Sequence, residues 1–301
     1  MRSRFPPDRG LTGRMLLTSF LLGLLYVVFA GVLVALLKSA ALAVVVAGAV
    51  LFAQFWFSDR IALYAMHGRV VTPQQAPELH AVVDRLCALA DMPKPTVAMA
   101  DTDMPNAFAT GRSPQRAVVC ATTGLMRRLE PDELEGVLAH ELSHVAHRDV
   151  AVITIASFLG VLAGLMVRFG LYSGLYGDRR RGDQNTTLVV LVVVAVSAVV
   201  YALAFLLTRA LSRYRELSAD RSAALLTGRP SALASALTKV TGDIARIPTK
   251  DLRQVEAYNA FFFSPALSPQ LALANLFSTH PTLQRRLDQL AELSRQYGQQ
   301  G

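Results

Sequence analysis

Residues 15–57 form a nearly unbroken apolar run, interrupted only by Lys38, Gln54 and a few hydroxyl side chains. At about 1.5 Å per residue a single helix of that length would measure about 64 Å, twice the roughly 30 Å of a bilayer's hydrocarbon core. The run must fold back on itself. Lys38 and Ser39 are the polar pair nearest its middle, so the expected spans lie near residues 15–37 and 40–57. Two further apolar runs, 150–167 and 187–207, are each long enough to cross a bilayer. With 52% hydrophobic and only 17% charged residues, the composition excludes an ordinary soluble domain.

Arg2, Arg4, Arg9 and Arg14 outweigh Asp8 in the first fourteen residues. Positive charge favours the cytoplasmic side, and a hairpin returns the chain there. A cleaved signal peptide would have a shorter apolar core and a small-residue cleavage site, and neither pattern is present. The expected organisation is therefore a basic cytoplasmic tail (1–14), a transmembrane hairpin (15–57), one half of a cytoplasmic domain (58–149), a second hairpin (150–207) and the other half (208–301). Arg179, Arg180 and Arg181 fall in a loop that four full spans would place outside. Either that loop departs from the charge rule, or 150–167 and 187–207 dip into the bilayer without crossing; about four spans is the arrangement expected. The net charge of +8 comes from arginines scattered along the chain or flanking apolar runs, with no aromatic-interleaved basic patch. The bilayer, not nucleic acid, is the partner this implies. Cys87 and Cys120 give neither a C-x-x-C pair nor a disulfide framework; buried, reduced thiols are expected, with a single bridge as the alternative.

The chemistry is concentrated in Val137–Val145, which reads VLAHELSHV. Positions i and i+4 lie about 40° apart around a helix and one turn apart along it, so His140 and His144 can aim at one point. Zn²⁺ is the ion that such a pair suits. Glu141, about 100° round from His140, can reach a water at that point without binding the metal. Pro131 suits a first helical position, Asp132 and Glu133 put negative charge in the first turn, and Leu134, Leu138, Leu142 and Val145 make an apolar stripe opposite the histidines. A catalytic zinc needs a third protein ligand. His147 lies about 10 Å along the axis from His140, too far to share the ion. The candidate is Glu216, on a second expected helix that puts Asp220 on the same face, where it would hold a histidine N–H and fix its tautomer. The competing reading of both acids is simple pairing with Arg213, Arg215 and Arg221 on a solvated face. Position favours Glu216 as ligand: if the helices continue, His144 lies about 9 Å before residue 150 and Glu216 about 14 Å after Leu207, at the same ends of two adjacent spans.

Between 58 and 149 the pattern is α+β. A helix opened by Thr72 and Pro73 runs through Leu79, Val82, Val83, Leu86 and Leu89, and residues 96–100, 106–110 and 117–122 read as short strands. Asn106, Ala107, Phe108 and Ala109 belong either to an edge strand on which an extended peptide adds as a further strand, or to a plain structural strand. Toward the end, Arg229 and Pro230 open a helix, Phe261, Phe262 and Phe263 form an apolar cluster, and Leu283, Leu287, Leu290 and Leu293 stripe a terminal helix with Pro281 in its first turn. His280 then sits at a helix mouth, either to hydrogen-bond an oxyanion or as an ordinary cap residue. The fold class expected is α+β, mainly helical, in an integral membrane protein with a cytoplasmic HExxH zinc-protease domain.

HELSH at 140–144, RELSAD at 215–220, NAFATG at 106–111 and STHP at 278–281 followed by Arg286 together resemble the HtpX-like membrane zinc metalloproteases, relatives of the CAAX prenyl endopeptidases. Order and spacing agree over nearly the whole chain; His147 stands where such proteins often have asparagine. The resemblance implies a zinc endopeptidase with one Zn²⁺ held by His140, His144 and Glu216, Glu141 as catalytic base, and Asp220 behind a ligand. It implies further that residues 106–109 line the groove for protein or peptide substrates and that His280 stabilises the transition state. It also implies quality control of misfolded or membrane proteins in a bacterial cytoplasmic membrane, with the site on the cytoplasmic side. A prenyl-protein endopeptidase and a non-catalytic, zinc-stabilised scaffold are the alternatives.

Overall fold

The computed structural model of the 301-residue chain describes residues 9–36, 55–149, 184–244 and 280–298, with a few isolated positions between 45 and 53. The expected turn at Lys38 and Ser39, the run 150–167, most of the loop 168–186 and the Phe261–Phe263 cluster lie outside the described residues.

Helix α1 (Arg9–Leu36) begins inside the basic tail, since Pro6 and Pro7 are the last residues that would break it. It packs along α6 (Gln184–Thr227), an unbroken helix of 44 residues. Val193, Ser197, Val200 and Ala204 line the buried face of α6, at helical spacing, while Leu22 and Phe29 are buried on α1. The other faces of the two helices leave Leu16, Phe20, Leu24, Val27, Leu188, Leu191 and Val199 exposed. Water would penalise such a surface; hydrocarbon does not. Among the described residues one helix is long and apolar enough to cross a membrane, the stretch Leu191–Thr227 of α6, whose most apolar 18-residue window has a mean hydropathy of 2.6.

Between these helices stand α2 (Ser58–Ala65), β1 (Gly68–Val70), α3 (Pro77–Ala90), β2 (Thr96–Ala100), β3 (Ala107–Thr110), β4 (Val118–Thr122), α4 (Thr123–Arg128) and α5 (Pro131–Ala146). The sheet order is β1-β2-β4-β3, with β2 and β4 parallel and the outer pairs antiparallel. The three expected strands are present, and β3 is an edge. Helix α3 starts at Pro77, not at Thr72 and Pro73. The residue before a proline is disfavoured in the α region, and Ala76 (φ −141°, ψ 66°) lies outside it. Residues 72–76 instead close a turn in which the Gln75 and Ala76 N–H groups donate to the Thr72 carbonyl.

Beyond α6, Gly228 (φ 68°) ends the helix and α7 (Pro230–Ile244) follows. Helix α8 (Leu283–Gly298) starts two residues after Pro281. Thr282 opens it, with its carbonyl accepting from the Arg286 N–H, so His280 stands just outside the helix mouth rather than beside the cap. Leu79, Val83 and Leu86 of α3, Leu134, Val137, Leu138 and Leu142 of α5, Leu233, Leu237 and Val240 of α7, and Leu290 and Leu293 of α8 share one core with the sheet. Helices α5 and α7 touch at Gly136, where a Cβ would lie 3.3 Å from Leu233 Cα. Cys87 and Cys120 are buried and free, so no bridge joins them.

Candidate metal centre

Helix α5 is fixed at its start by a capping box between Glu130 and Glu133, with Pro131 in its first turn. Glu133 also accepts from Ser235 Oγ at 2.6 Å and Lys239 Nζ at 2.8 Å, which locks the helix to α7. Burial pushes the Glu133 carboxyl up, but the Lys239 and Ser235 hydrogen bonds outweigh it and hold the group below its usual range. Residues 133–143 are buried throughout, so the histidines are presented from a helix that cannot roll.

His140 Nε2 and His144 Nε2 lie 3.2 Å apart, with the rings nearly perpendicular. Glu216, from α6, reaches between them: its Oε2 is 3.7 Å from His140 Nε2 and its Oε1 is 3.4 Å from His144 Nε2. Three donor atoms, one from each residue, all fall within 4.8 Å of one another. Two imidazole nitrogens and a carboxylate oxygen form a donor set that suits a divalent transition metal with an open position. Glu141 lies beside them, its Oε2 accepting the Ala109 N–H of β3 at 3.0 Å. In an antiparallel edge strand alternate residues turn their N–H and C=O groups away from the ladder, and Ala109 is one of these. Asn106 is buried before the strand: its N–H donates to Thr122 Oγ1 and its carbonyl accepts from the Thr122 N–H. Phe108 packs inward on the core face of α2 and β4.

Behind His140, Nδ1 is 2.9 Å from Asp220 Oδ1. Asp220 is fully buried and takes a fork from Arg286, Nε at 2.7 Å and Nη2 at 2.6 Å. Behind His144 stands Asp149, with Oδ2 2.5 Å from Nδ1, and Asp149 pairs in turn with Arg215. Arg215 is 3% exposed, so it is no solvated partner of the helix acids, and burial pulls its guanidinium down to about 9. His280 places Nδ1 3.0 Å from Glu216 Oε2. His147 is exposed at the C-terminal end of α5 and lies outside the cluster, as the helix rise requires.

Burial pushes the Glu141 carboxyl up, and Glu216 adds to that push against His140 and His144. Burial would raise Glu216 too, but the nearby His280, with which it shares a hydrogen bond, and the close approach of His140 and His144 hold it well below the carboxylate range. Asp220 is likewise kept low, against burial, by Arg286 and His140. With the histidines neutral, as metal ligands must be, the ionised forms of Glu141, Asp149, Glu216 and Asp220 would exceed Arg215 and Arg286 by two negative charges, an excess that one divalent cation would neutralise.

Asp149, Arg215 and Arg286 as partners of the site carry no periodic signal. Asp149 follows Arg148, whose φ of 56° turns the chain back beneath His144, and Arg286 is 66 residues from Asp220.

The profile described as Peptidase family M48 matches residues 73–294. A Streptomyces coelicolor protein described as protease HtpX homolog 1 is 69% identical over 299 residues, covering 99% of this chain and 98% of its own length. A protease HtpX homolog of Moorella thermoacetica is 51% identical over 297 residues, 98% of each chain. Among solved structures, that of S. mikatae Ste24p matches with a TM-score of 0.53 over 94% of this chain and 66% of that one, at 17% identity, a likeness of fold.

Proposed function

The chain belongs to peptidase family M48 and is a membrane-bound metalloprotease acting on protein or peptide substrates, and from that premise we propose that His140, His144 and Glu216 hold one catalytic Zn²⁺. The observation that carries this reading is the convergence of those three donors within 4.8 Å, with Glu141 alongside and tied to an edge strand. Once bound, the zinc supplies a Lewis acid that polarises the scissile carbonyl and makes water nucleophilic near neutral pH.

Glu141 is the general base. It takes a proton from the attacking water and passes it to the leaving amine. The Ala109 N–H holds Oε2, which leaves Oε1 to carry the proton. Asp220 keeps the His140 ring in the tautomer that presents Nε2. His280, engaged with Glu216 through Nδ1, would stabilise the transition-state oxyanion from its Nε2 side. A substrate strand adds beside β3 along residues 106–109, pairing with the outward backbone groups of Ala107 and the Ala109 carbonyl, while Glu141, held by the Ala109 N–H, faces the scissile bond.

The site lies close to a bilayer. Glu216 is nine residues beyond Leu207 on one continuous helix, about 14 Å along its axis. A hydrolase placed there suits misfolded or membrane proteins at the cytoplasmic face of a bacterial inner membrane, with the protease domain formed by 58–149, between two transmembrane hairpins, and 208–301, after the second.

The test is degradation of an unfolded protein and of a membrane protein by the purified zinc-loaded chain in detergent, beside Glu141→Gln. The expected result is equal zinc content and a loss of about 10²–10⁴-fold in rate for the variant. Cleavage restricted to prenylated peptides would move the reading to a prenyl-protein endopeptidase. No cleavage by either protein with one zinc on each would leave a scaffold.

A further inference from the structure

The two histidines are each held from behind by a carboxylate, and each carboxylate by a buried arginine. On one side the chain is Arg286, Asp220, His140; on the other it is Arg215, Asp149, His144. We propose that Asp149 and Arg215 are positioning residues of the metal centre: Asp149 fixes the His144 ring with Nε2 toward the ion, and Arg215 fixes Asp149 from the backbone position next to Glu216. This rests on the reading of His140, His144 and Glu216 as metal ligands.

Three observations support it. Asp149 Oδ2 lies 2.5 Å from His144 Nδ1, and a metal-ligating imidazole that donates its other N–H to a carboxylate is held in one tautomer and made a better donor. Asp149 and Arg215 are 8% and 3% exposed, and a buried ion pair is a weak source of stability by itself, since desolvation offsets the attraction. The connectivity gives the pair a further use. Successive residues of α6 diverge by about 100°, so Arg215 reaches under the end of α5 while Glu216 reaches between the two histidines. Two neighbouring residues of one helix thus clasp the end of the other, and any shift of α6 against α5 moves ligand and orienting group together. The left-handed turn at Arg148 (φ 56°) is what lets an acid five residues after His144 come back beneath it.

The experiment compares the wild-type membrane protein in detergent with Asp149→Asn, Asp149→Leu, Arg215→Met and the double variant Asp149→Leu/Arg215→Met. The readouts are zinc affinity by competition with a chromophoric chelator, the visible ligand-field spectrum after loading with Co²⁺, and the apparent melting temperature. Either apolar single variant leaves one charge buried without its partner and melts early. The double variant removes both charges and regains most of that loss. Its zinc affinity should nevertheless stay about 10–100-fold below wild type, the usual effect of removing a ligand's orienting partner, with altered Co²⁺ bands. Asp149→Asn keeps an acceptor for Nδ1 and should fall between. Wild-type affinity and spectrum in the double variant, or in Asp149→Asn and Arg215→Met together, would overturn the proposal and leave the pair a structural link. If His144→Ala holds zinc as tightly as wild type, the ligand assignment itself fails, and this inference with it.

Discussion

Replacing Arg286 by methionine removes a buried cation that forks onto Asp220 and lies 3.9 Å from Glu216 Oε2. Among the described residues Arg286 is the largest of the fully buried side chains, at 2% exposure, and its guanidinium forks onto an Asp220 that has no exposure. Methionine keeps most of the stem's packing and removes the charge, so Asp220 is left with the His140 N–H alone. Stranding one partner of a buried pair costs about 3–5 kcal/mol. At roughly 2–4 °C per kcal/mol for a unit of 150–250 residues, the apparent melting temperature falls by on the order of 6–20 °C. The assay is intrinsic fluorescence of Trp56, the single tryptophan, on zinc-loaded protein in detergent at a fixed scan rate, because such proteins can unfold irreversibly. The pH dependence gives an independent check. In the wild type the Asp220 pKa is depressed in the fold, so the group contributes stability above its unfolded value near 3.9 and loses it as pH falls through the lower folded value. In Arg286→Met the depressing guanidinium is gone and burial pushes the carboxyl up. The ionised group then costs stability above the raised value, and the cost fades as protonation sets in. The gap between the two proteins therefore narrows as pH falls from 8 to 5. A gap below about 2 °C at pH 8, or one that does not change with pH, would refute the idea that Arg286 compensates the Asp220 charge.

Stripping the metal with a chelator should also lower the melting temperature, because an ion that binds the folded chain and not the unfolded one no longer contributes. A ligand present at about 1,000 times its dissociation constant contributes about 4 kcal/mol, so proven metal removal without a shift would exclude a preformed site. Burial pushes the Cys87 thiol to about 11, with Asp84 adding to it, and Cys120 to about 12. At pH 8 their thiolate fractions are about one in a thousand and one in ten thousand, so an alkylating reagent should modify neither until denaturant is added, after which both react. Fast labelling of either cysteine in the native protein would contradict the packing around it.

The parts of this molecule that were legible in its sequence are those set by short periodicities. The i, i+4 pair on α5, its start at Pro131 with acids in the first turn, and the three strands are written locally, and they stand where the pattern puts them. Glu216 was legible for a less local reason, since an apolar run followed without a breaker by a polar helix implies one rigid rod, which α6 is. Elsewhere local signals compete or fall silent. Two prolines, Pro73 and Pro77, each suit a helix start, and the non-helical backbone of Ala76 decides between them. Strand β1 is three residues long, too short to show alternation. Arg215 reads as a surface partner of its neighbours because nothing in the pattern reveals that α6 turns that side chain inward. Asp149 lies past the end of a helix, where a positive φ at Arg148 cancels any periodic expectation.

What was hidden is also what makes the site conditional on the whole fold. His140 takes its orienting carboxylate from α6 and, behind that, a guanidinium from α8; His144 takes a carboxylate from the turn after α5 and a guanidinium from α6. Glu141 is held by β3. No single element can therefore present a competent donor set, however well its own helix forms. With α8 undocked, Asp220 would be a buried anion without its cation, and with α6 displaced both Glu216 and Arg215 would leave together. Each of these costs several kcal/mol, comparable to the whole stability of an ordinary domain. Hydrolytic capacity consequently appears only when helices from opposite ends of the sequence have packed, and the long apolar helix α6 is one of them.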